Sequence, residues 1–178
     1  EIAERSYKKE EFIRTTTNNL VSKKVRISSP NFVKITGKTI LMHGVIIRGD
    51  LAKVEMGRYC EVGANTIIRP ALKISEEPTF ADVKIGDNTR IGEDCIIEAA
   101  WIGTNVQIGK GCVLGKGSLV RDCCRLEDGT VLAPGAVVPP FSVVAGCPGR
   151  VTSELPENSP EEFSHAAQDS YKKFKETA

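Results

Sequence analysis

A six-residue aliphatic period runs through the second half of this chain and leaves few architectures open to it. Stepping by six from Ile85 gives Ile91 and Ile97; after one missing residue the register resumes at Ile102, Ile108, Leu114, Val120, Leu126, Leu132, Val138 and Val144. Chance does not place an aliphatic residue at every one of these steps. The next residue is Gly86, Gly92, Gly103, Gly109 or Gly115 in the clearest repeats. Three after the aliphatic stand Asn88, Asp94, Asn105, Gly111, Gly117, Gly129 and Gly135, the residue types that accept positive φ with least strain, so a corner belongs there. Four after it come Thr89, Cys95, Val106, Cys112, Ser118, Cys124, Thr130, Ala136 and Ser142, nearly all small. Strand alternation makes this a second inward position, two residues before the next aliphatic.

A period of six is too short for a helix pair or a hairpin, but it suits one short strand plus one corner of a triangular coil. The expected fold is therefore all-β: a left-handed parallel β-helix, three hexapeptides to a turn, followed by a C-terminal α-helix. Residues eighteen apart then stack, so Ile102, Val120 and Val138 form one interior column and Ile108, Leu126 and Val144 another. Upstream, Val33, Ile35, Ile40, Ile46, Val54, Met56, Val62 and Ile68 keep a strand-like pattern at imperfect spacing, which predicts irregular first coils. The stretch from Arg69 to Lys84, with Pro70, Glu76, Glu77, Pro78 and Phe80, does not fit one clean hexapeptide and reads as a loop ejected from a corner. Near the end, Ser159, Pro160 and Glu162 supply an N-cap, a first-turn proline and a capping-box acid. The helix they begin carries Phe163, Ala166 or Ala167, Ser170 or Tyr171, and Phe174 on one face, enough to lie along the β-helix. The expected organisation is a β-helix domain over residues 1–155, with irregular N-terminal coils, and a helix packed on it over residues 156–178.

Whole-chain properties exclude several functions. At 178 residues and 40% hydrophobic, the chain suits one domain with a real core. Its 24 Lys and Arg against 23 Asp and Glu include no basic run long enough to neutralise many phosphates, so nucleic acid is not an expected partner. No apolar run reaches the ~18 residues of a membrane span, and the opening Glu1 to Glu11 is charged rather than signal-like. The expectation is a cytoplasmic protein without membrane insertion. Cys60, Cys95, Cys112, Cys123, Cys124 and Cys147 show no CxxC spacing, so neither disulfides nor a zinc knot is expected. Cys95, Cys112 and Cys124 fall on the small inward position and read as packing residues.

The segments IIRGD (Ile46 to Asp50), IGDNTRIGEDCI (Ile85 to Ile96) and VVAGCPGRV (Val143 to Val151) resemble the superfamily of γ-class carbonic anhydrases and hexapeptide transferases. That resemblance implies a trimer holding zinc through three histidines, and it can be checked position by position. The first histidine falls on Arg69, the second on Glu93 and the third on Glu98. The chain's two histidines, His43 and His165, lie elsewhere, so no histidine zinc site is expected; a guanidinium does not ligate a cation. The sequence-level hypothesis is that Arg69 pairs with one of the two glutamates in place of metal. The transferase alternative needs a histidine base, for which His43 is the one candidate, without a matched acid nearby. Arg48 and Asp50 match residues that are chiefly structural and interfacial in that superfamily.

Further segments carry a closer resemblance: YKKEEFIRTTTNNLVSKKV from Tyr7, GKTILMHGVIIRGDLAKVEMGRYC from Gly37, RDCC at Arg121 to Cys124, and VVPPF at Val137 to Phe141. Together they resemble the small β-helix subunits of the dynactin pointed-end complex. The resemblance implies a structural subunit without catalytic residues or cofactors. It also implies a companion β-helix subunit, an actin-related protein at the filament's pointed end, dynein cargo adaptors as partners, and a cytoskeletal location. Lys73, Glu76, Glu77 and Phe80 are the candidate partner contacts, because an ejected loop is free of the repeat's packing constraint. The enzymatic alternatives remain a γ-class hydratase and an acyltransferase.

Overall fold

Each hexapeptide folds as one short strand and one corner in the computed structural model, which describes residues 2–73 and 75–177. Three strands close a turn, and about six turns stack into a left-handed parallel β-helix of triangular section. The first face stacks Leu20–Ser22, Ile40–Leu41, Glu61–Val62, Arg90–Ile91, Gln107–Ile108, Arg125–Leu126 and Ser142–Ala145. The second stacks Arg26–Ser28, Ile46–Arg48, Ile67–Ile68, Ile96–Ile97, Val113–Leu114 and Val131–Leu132. The third stacks Val33–Gly37, Val54–Arg58, Val83–Ile85, Trp101–Ile102, Leu119–Val120 and Val137–Val138.

The interior is the expected ladder. Ile102 pairs with Val120 and Val120 with Val138, while Ile108, Leu126 and Val144 stack likewise. All of these side chains are buried. The corner residues take positive φ as their types require, from 54° at Asn88 to 72° at Gly129. The glycine following each aliphatic has a different cause: a Cβ on Gly92 would lie 2.6 Å from the backbone of Gly109 in the next coil. Successive coils approach too closely there for any side chain.

The small inward residues do more than fill space. Thr66 and Thr89 donate their hydroxyls to Gly92 and Gly103 carbonyls in the next coil, both at 2.8 Å. Cys60, Cys95 and Cys124 do the same with their thiols, each at 3.1 Å, to Gly86, Gly109 and Pro139. Burial pushes the Cys60 thiol up to about 12 and that of Cys124 to about 11. All six thiols are free and only Cys147 is exposed.

Several sequence expectations need correction. In the first two turns Leu41, Ile47, Val54 and Met56 point inward, whereas Ile40 and Ile46 face out. Ile40 is nevertheless buried, because Tyr7, Phe12 and Phe174 lie over it and Leu20. Within the Arg69 to Lys84 stretch the expected ejected loop takes the form of a short antiparallel hairpin, in which Leu72 pairs with Phe80 and Lys73 with Thr79, and the chain rejoins the third face at Val83. The helix runs Ser159–Lys172 with Asn158, not Ser159, as its N-cap, and the Asn158 amide donates to Glu162 Oε1 at 2.7 Å. Phe163, Ala167 and Ser170 are its buried face. Phe174 lies beyond the helix, in a strand Phe174–Glu176 that pairs in parallel with Arg5–Tyr7. The two ends of the chain therefore clasp each other over the first face, a pairing that no local pattern announces.

Candidate functional site

The residues standing at the resembled metal positions occupy two different places. Arg69 and Glu98 follow stacked strands of the second face and meet there, with Arg69 Nη2 2.5 Å from Glu98 Oε1. The Glu98 side chain is 12% exposed and the Arg69 side chain 46%, so the carboxylate is sheltered while the guanidinium reaches water. Glu93 sits on the corner between the first and second faces, where its nearest cation is Lys110 at 4.0 Å. The three groups do not converge within one chain. A guanidinium has no lone pair to give, and the carboxylate it holds is already engaged, so this donor set does not fit a zinc ion. Among the described residues no group of three or more His, Cys, Asp and Glu has metal-holding geometry.

His43 lies in the second turn, where its Nδ1 shares a hydrogen bond with Ser22 Oγ at 2.6 Å and its ring packs on Phe12 at 5.3 Å. Those contacts give it a place in the N-terminal aromatic cluster. His165 is on the exposed side of the helix. Arg48 and Asp50 pair with each other at 2.7 and 2.8 Å, which holds the Asp50 carboxyl below the usual carboxylate range.

A buried polar constellation that sequence reasoning missed lies where the termini cross the first face. Glu61 accepts from Arg5 Nη1 at 2.5 Å and from Ser170 Oγ at 2.5 Å, and Ser170 in turn accepts from Arg5 Nη2 at 2.7 Å. Arg90 approaches the same carboxylate at 3.6 Å. Burial alone would raise the Glu61 pKa, but the hydrogen bonds and charges of Arg5, Ser170 and Arg90 outweigh it and hold the carboxyl below its ordinary value. The one signal in the sequence was a glutamate at the strand position that Ile40 fills one turn earlier. Its partners lie 56 and 109 residues away. Beyond this clasp, an open groove of about 440 Å³ continues along the first face past Arg90, Gln107, Arg125, Lys110, Glu127 and Asp128.

The candidate contact residues are on the hairpin. Lys73 and Phe80 belong to its strands, and Glu76 and Glu77 lie at its exposed tip. Leu72, opposite Phe80, is also exposed and was not singled out from the sequence. Ile74 falls outside the described residues.

With this geometry in view, comparison with known proteins places the chain. Among solved structures, a hexapeptide transferase family protein from Anaplasma phagocytophilum matches with a TM-score of 0.67 at 21% identity, over 86% of this chain and 89% of that one. AntD, an N-acyltransferase from Bacillus cereus, matches with a TM-score of 0.65 at 15% identity over 85% of this chain and 89% of its own. At such identities the likeness is one of fold. A probable carbonic anhydrase from Methanocaldococcus jannaschii is 28% identical over 142 residues, 78% of this chain and 85% of the relative. Dynactin subunit 5 of Dictyostelium discoideum is 39% identical over 99 residues, 55% of this chain; the match spans half of that relative's length. The profile of the family described as dynactin subunit 5 matches residues 1–178, the whole of the sequence, and the chain belongs to that family.

Proposed function

We propose that this chain is a non-catalytic β-helix subunit of dynactin. It sits in the cytoplasm on the cytoskeleton, paired with a companion β-helix subunit and attached through an actin-related protein to the pointed end of the filament. From there it helps dynein's cargo adaptors dock for microtubule-based transport. Membership of the family over the whole sequence supports the assembly role.

The observation that supports the reading against an enzyme is the Arg69–Glu98 ion pair, formed by residues that the resemblance aligns with two of a hydratase's three imidazoles. With Arg69 in place of an imidazole and the Glu98 carboxylate engaged by it, the pair supplies no donor set suited to zinc, which supports the non-catalytic reading. His43, tied to Ser22 and packed on Phe12, is likewise spent on structure rather than poised as a transferase base. What remains for function is surface: three sheet faces, a clasp of termini and a hairpin projecting from one corner.

The test is recovery of the tagged full chain from cytosol. The expected result is co-elution of a companion β-helix subunit and an actin-related protein. Reversing the hairpin tip with Glu76→Lys and Glu77→Lys is expected to lower adaptor recovery several-fold while the companion stays bound. Undiminished adaptor recovery would retire the hairpin as the contact. A free homotrimer with hydratase activity would overturn the assembly reading itself.

A further inference from the structure

Charge is not spread evenly along the prism. Residues 12–49 build the first turn and two strands of the second, and they hold seven Lys and Arg with neither Asp nor Glu. The rest of the chain is left with 17 Lys and Arg against 23 Asp and Glu, so the basic excess belongs to one end. Arg48 is closed on Asp50. The other six, Arg14, Lys23, Lys24, Arg26, Lys34 and Lys38, are exposed and have no ion-pair partner among the described residues.

These six lie on every side of the first turn. Arg14 is on the strand that heads the first face, Lys23 and Lys24 are at the next corner, Arg26 is on the second face, Lys34 on the third, and Lys38 at the corner that follows. The first acid in the stack is Glu55, one rung below Lys34. Glu10 and Glu11, at the margin, are matched by Lys8 and Lys9. The far end has the opposite sign: residues 127–162 hold six acids, with Arg150 as the one base.

The basic end is also open to the interior. Ile27, Val33 and Ile35 stack on Ile47, Val54 and Met56, which are buried, yet are themselves only partly covered. At the far end Leu132, Val138 and Val144 are buried, with Gly149 folded against Leu132 and Val144. Beside the open end stand two large apolar side chains. Phe32 is 53% exposed at the corner between the second and third faces, and Ile13 is 52% exposed on the strand that heads the first.

We infer that this end of the prism docks peripherally on an anionic lipid bilayer, with the six cations among the headgroups and Phe32 and Ile13 at the acyl boundary. This surface is separate from the hairpin and independent of the assembly reading. A girdle of cations around an apolar centre, on a flat end, fits a partner that is flat, anionic and apolar beneath its charge. An acidic peptide laid along one strand edge would meet the cations of one side and leave the others unpaired.

Interfacial binding adds buried apolar area to attraction for anionic lipid, and each Lys or Arg near such a surface strengthens it by about fivefold. The free edges of Arg26–Ser28 and Val33–Gly37 stay in the hydrated headgroup layer, because unpaired backbone amides do not enter hydrocarbon. The acidic far end points the long axis, basic end first, at a negative surface.

The test sediments the purified full chain with vesicles of phosphatidylcholine alone, or with about 30% phosphatidylserine, at about 0.1 M salt. Binding is expected to the mixed vesicles only, and to fall about tenfold or more at about 0.5 M salt. Lys23→Glu with Lys24→Glu is expected to weaken it at least about tenfold. Phe32→Ser is expected to weaken it several-fold with an unchanged melting curve, since that side chain is half exposed already. Lys116→Glu, at an exposed position in the fifth turn, is expected to leave binding unchanged. No binding to the mixed vesicles, equal binding to both kinds, or a loss with Lys116→Glu that matches the lysine pair overturns the inference. Binding indifferent to Phe32→Ser overturns it as well, and equally tight capture on immobilised polyglutamate would then identify an acidic protein surface as the partner.

Discussion

A carboxylate that leaves water on folding has to recover its solvation from neighbouring dipoles and charges, and Glu61 does so through Arg5, Ser170 and Arg90. Its pKa is lower in the folded chain than in the unfolded one. The stabilisation it supplies is therefore complete above the unfolded value of about 4.3 and is lost as pH falls through the folded value. Glu61→Gln keeps the shape but leaves two guanidinium groups facing a neutral amide, and we expect it to cost about 2 kcal/mol near neutral pH. Urea unfolding of both proteins should show that gap closing as the pH is taken from about 6 to about 3. A gap independent of pH would mean that the charge of Glu61 is not what holds the clasp. The Arg69–Glu98 pair was more legible, because the repeat fixes which residues stack. The two residues are 29 apart rather than the usual eighteen only because the hairpin is inserted between their strands. Glu61 was not legible in the same way, since its partners come from the two ends of the chain and no period relates them.

At the scale of the element, the hexapeptide carries two kinds of special position that look alike in sequence. Gly117 is at a corner with φ of 68° and open space around it, whereas Gly92 sits where one coil meets the next. The first asks for left-handed backbone, which Asn88 and Asn105 supply equally well at equivalent corners. The second asks for the absence of a side chain. Gly92→Ala is therefore expected to cost about 2–3 kcal/mol by forcing two coils apart, a fall in Tm of roughly 6 °C for a chain of this size. Gly117→Asn should stay within about 0.5 kcal/mol of the parent. Thermal melts of the two variants make the comparison, and equal losses would refute the distinction. The corners, the interior columns and the presence of the helix could be read in advance because each rests on short-range pattern, though the cap proved to be Asn158 rather than Ser159. The hairpin could be located but not shaped, since Leu72 and Phe80 pair without a turn signature between them. The strand Phe174–Glu176 could not be separated from the helix before it, because Phe174 continues the helical spacing and only its pairing with Arg5–Tyr7 ends it.

As a whole molecule, the chain divides its outer surface by face. The first is covered near its start by the termini and is charged beyond them, the second passes from Arg26 to a run of partly buried aliphatic rungs, and the third passes from charged to apolar. A prism of this kind works by presenting rigid, flat and chemically distinct sides, which suits a part that is held between others. Arg69 and Glu98, which the resemblance to γ-class carbonic anhydrases aligns with two zinc positions, form an ion pair here, so metal content tests the non-catalytic reading most directly. Elemental analysis of the full chain, purified with its partners and without chelator, is expected to find far less than one zinc per chain and no acceleration of carbon dioxide hydration. One zinc per chain, retained through gel filtration and accompanied by hydration activity, would contradict the account.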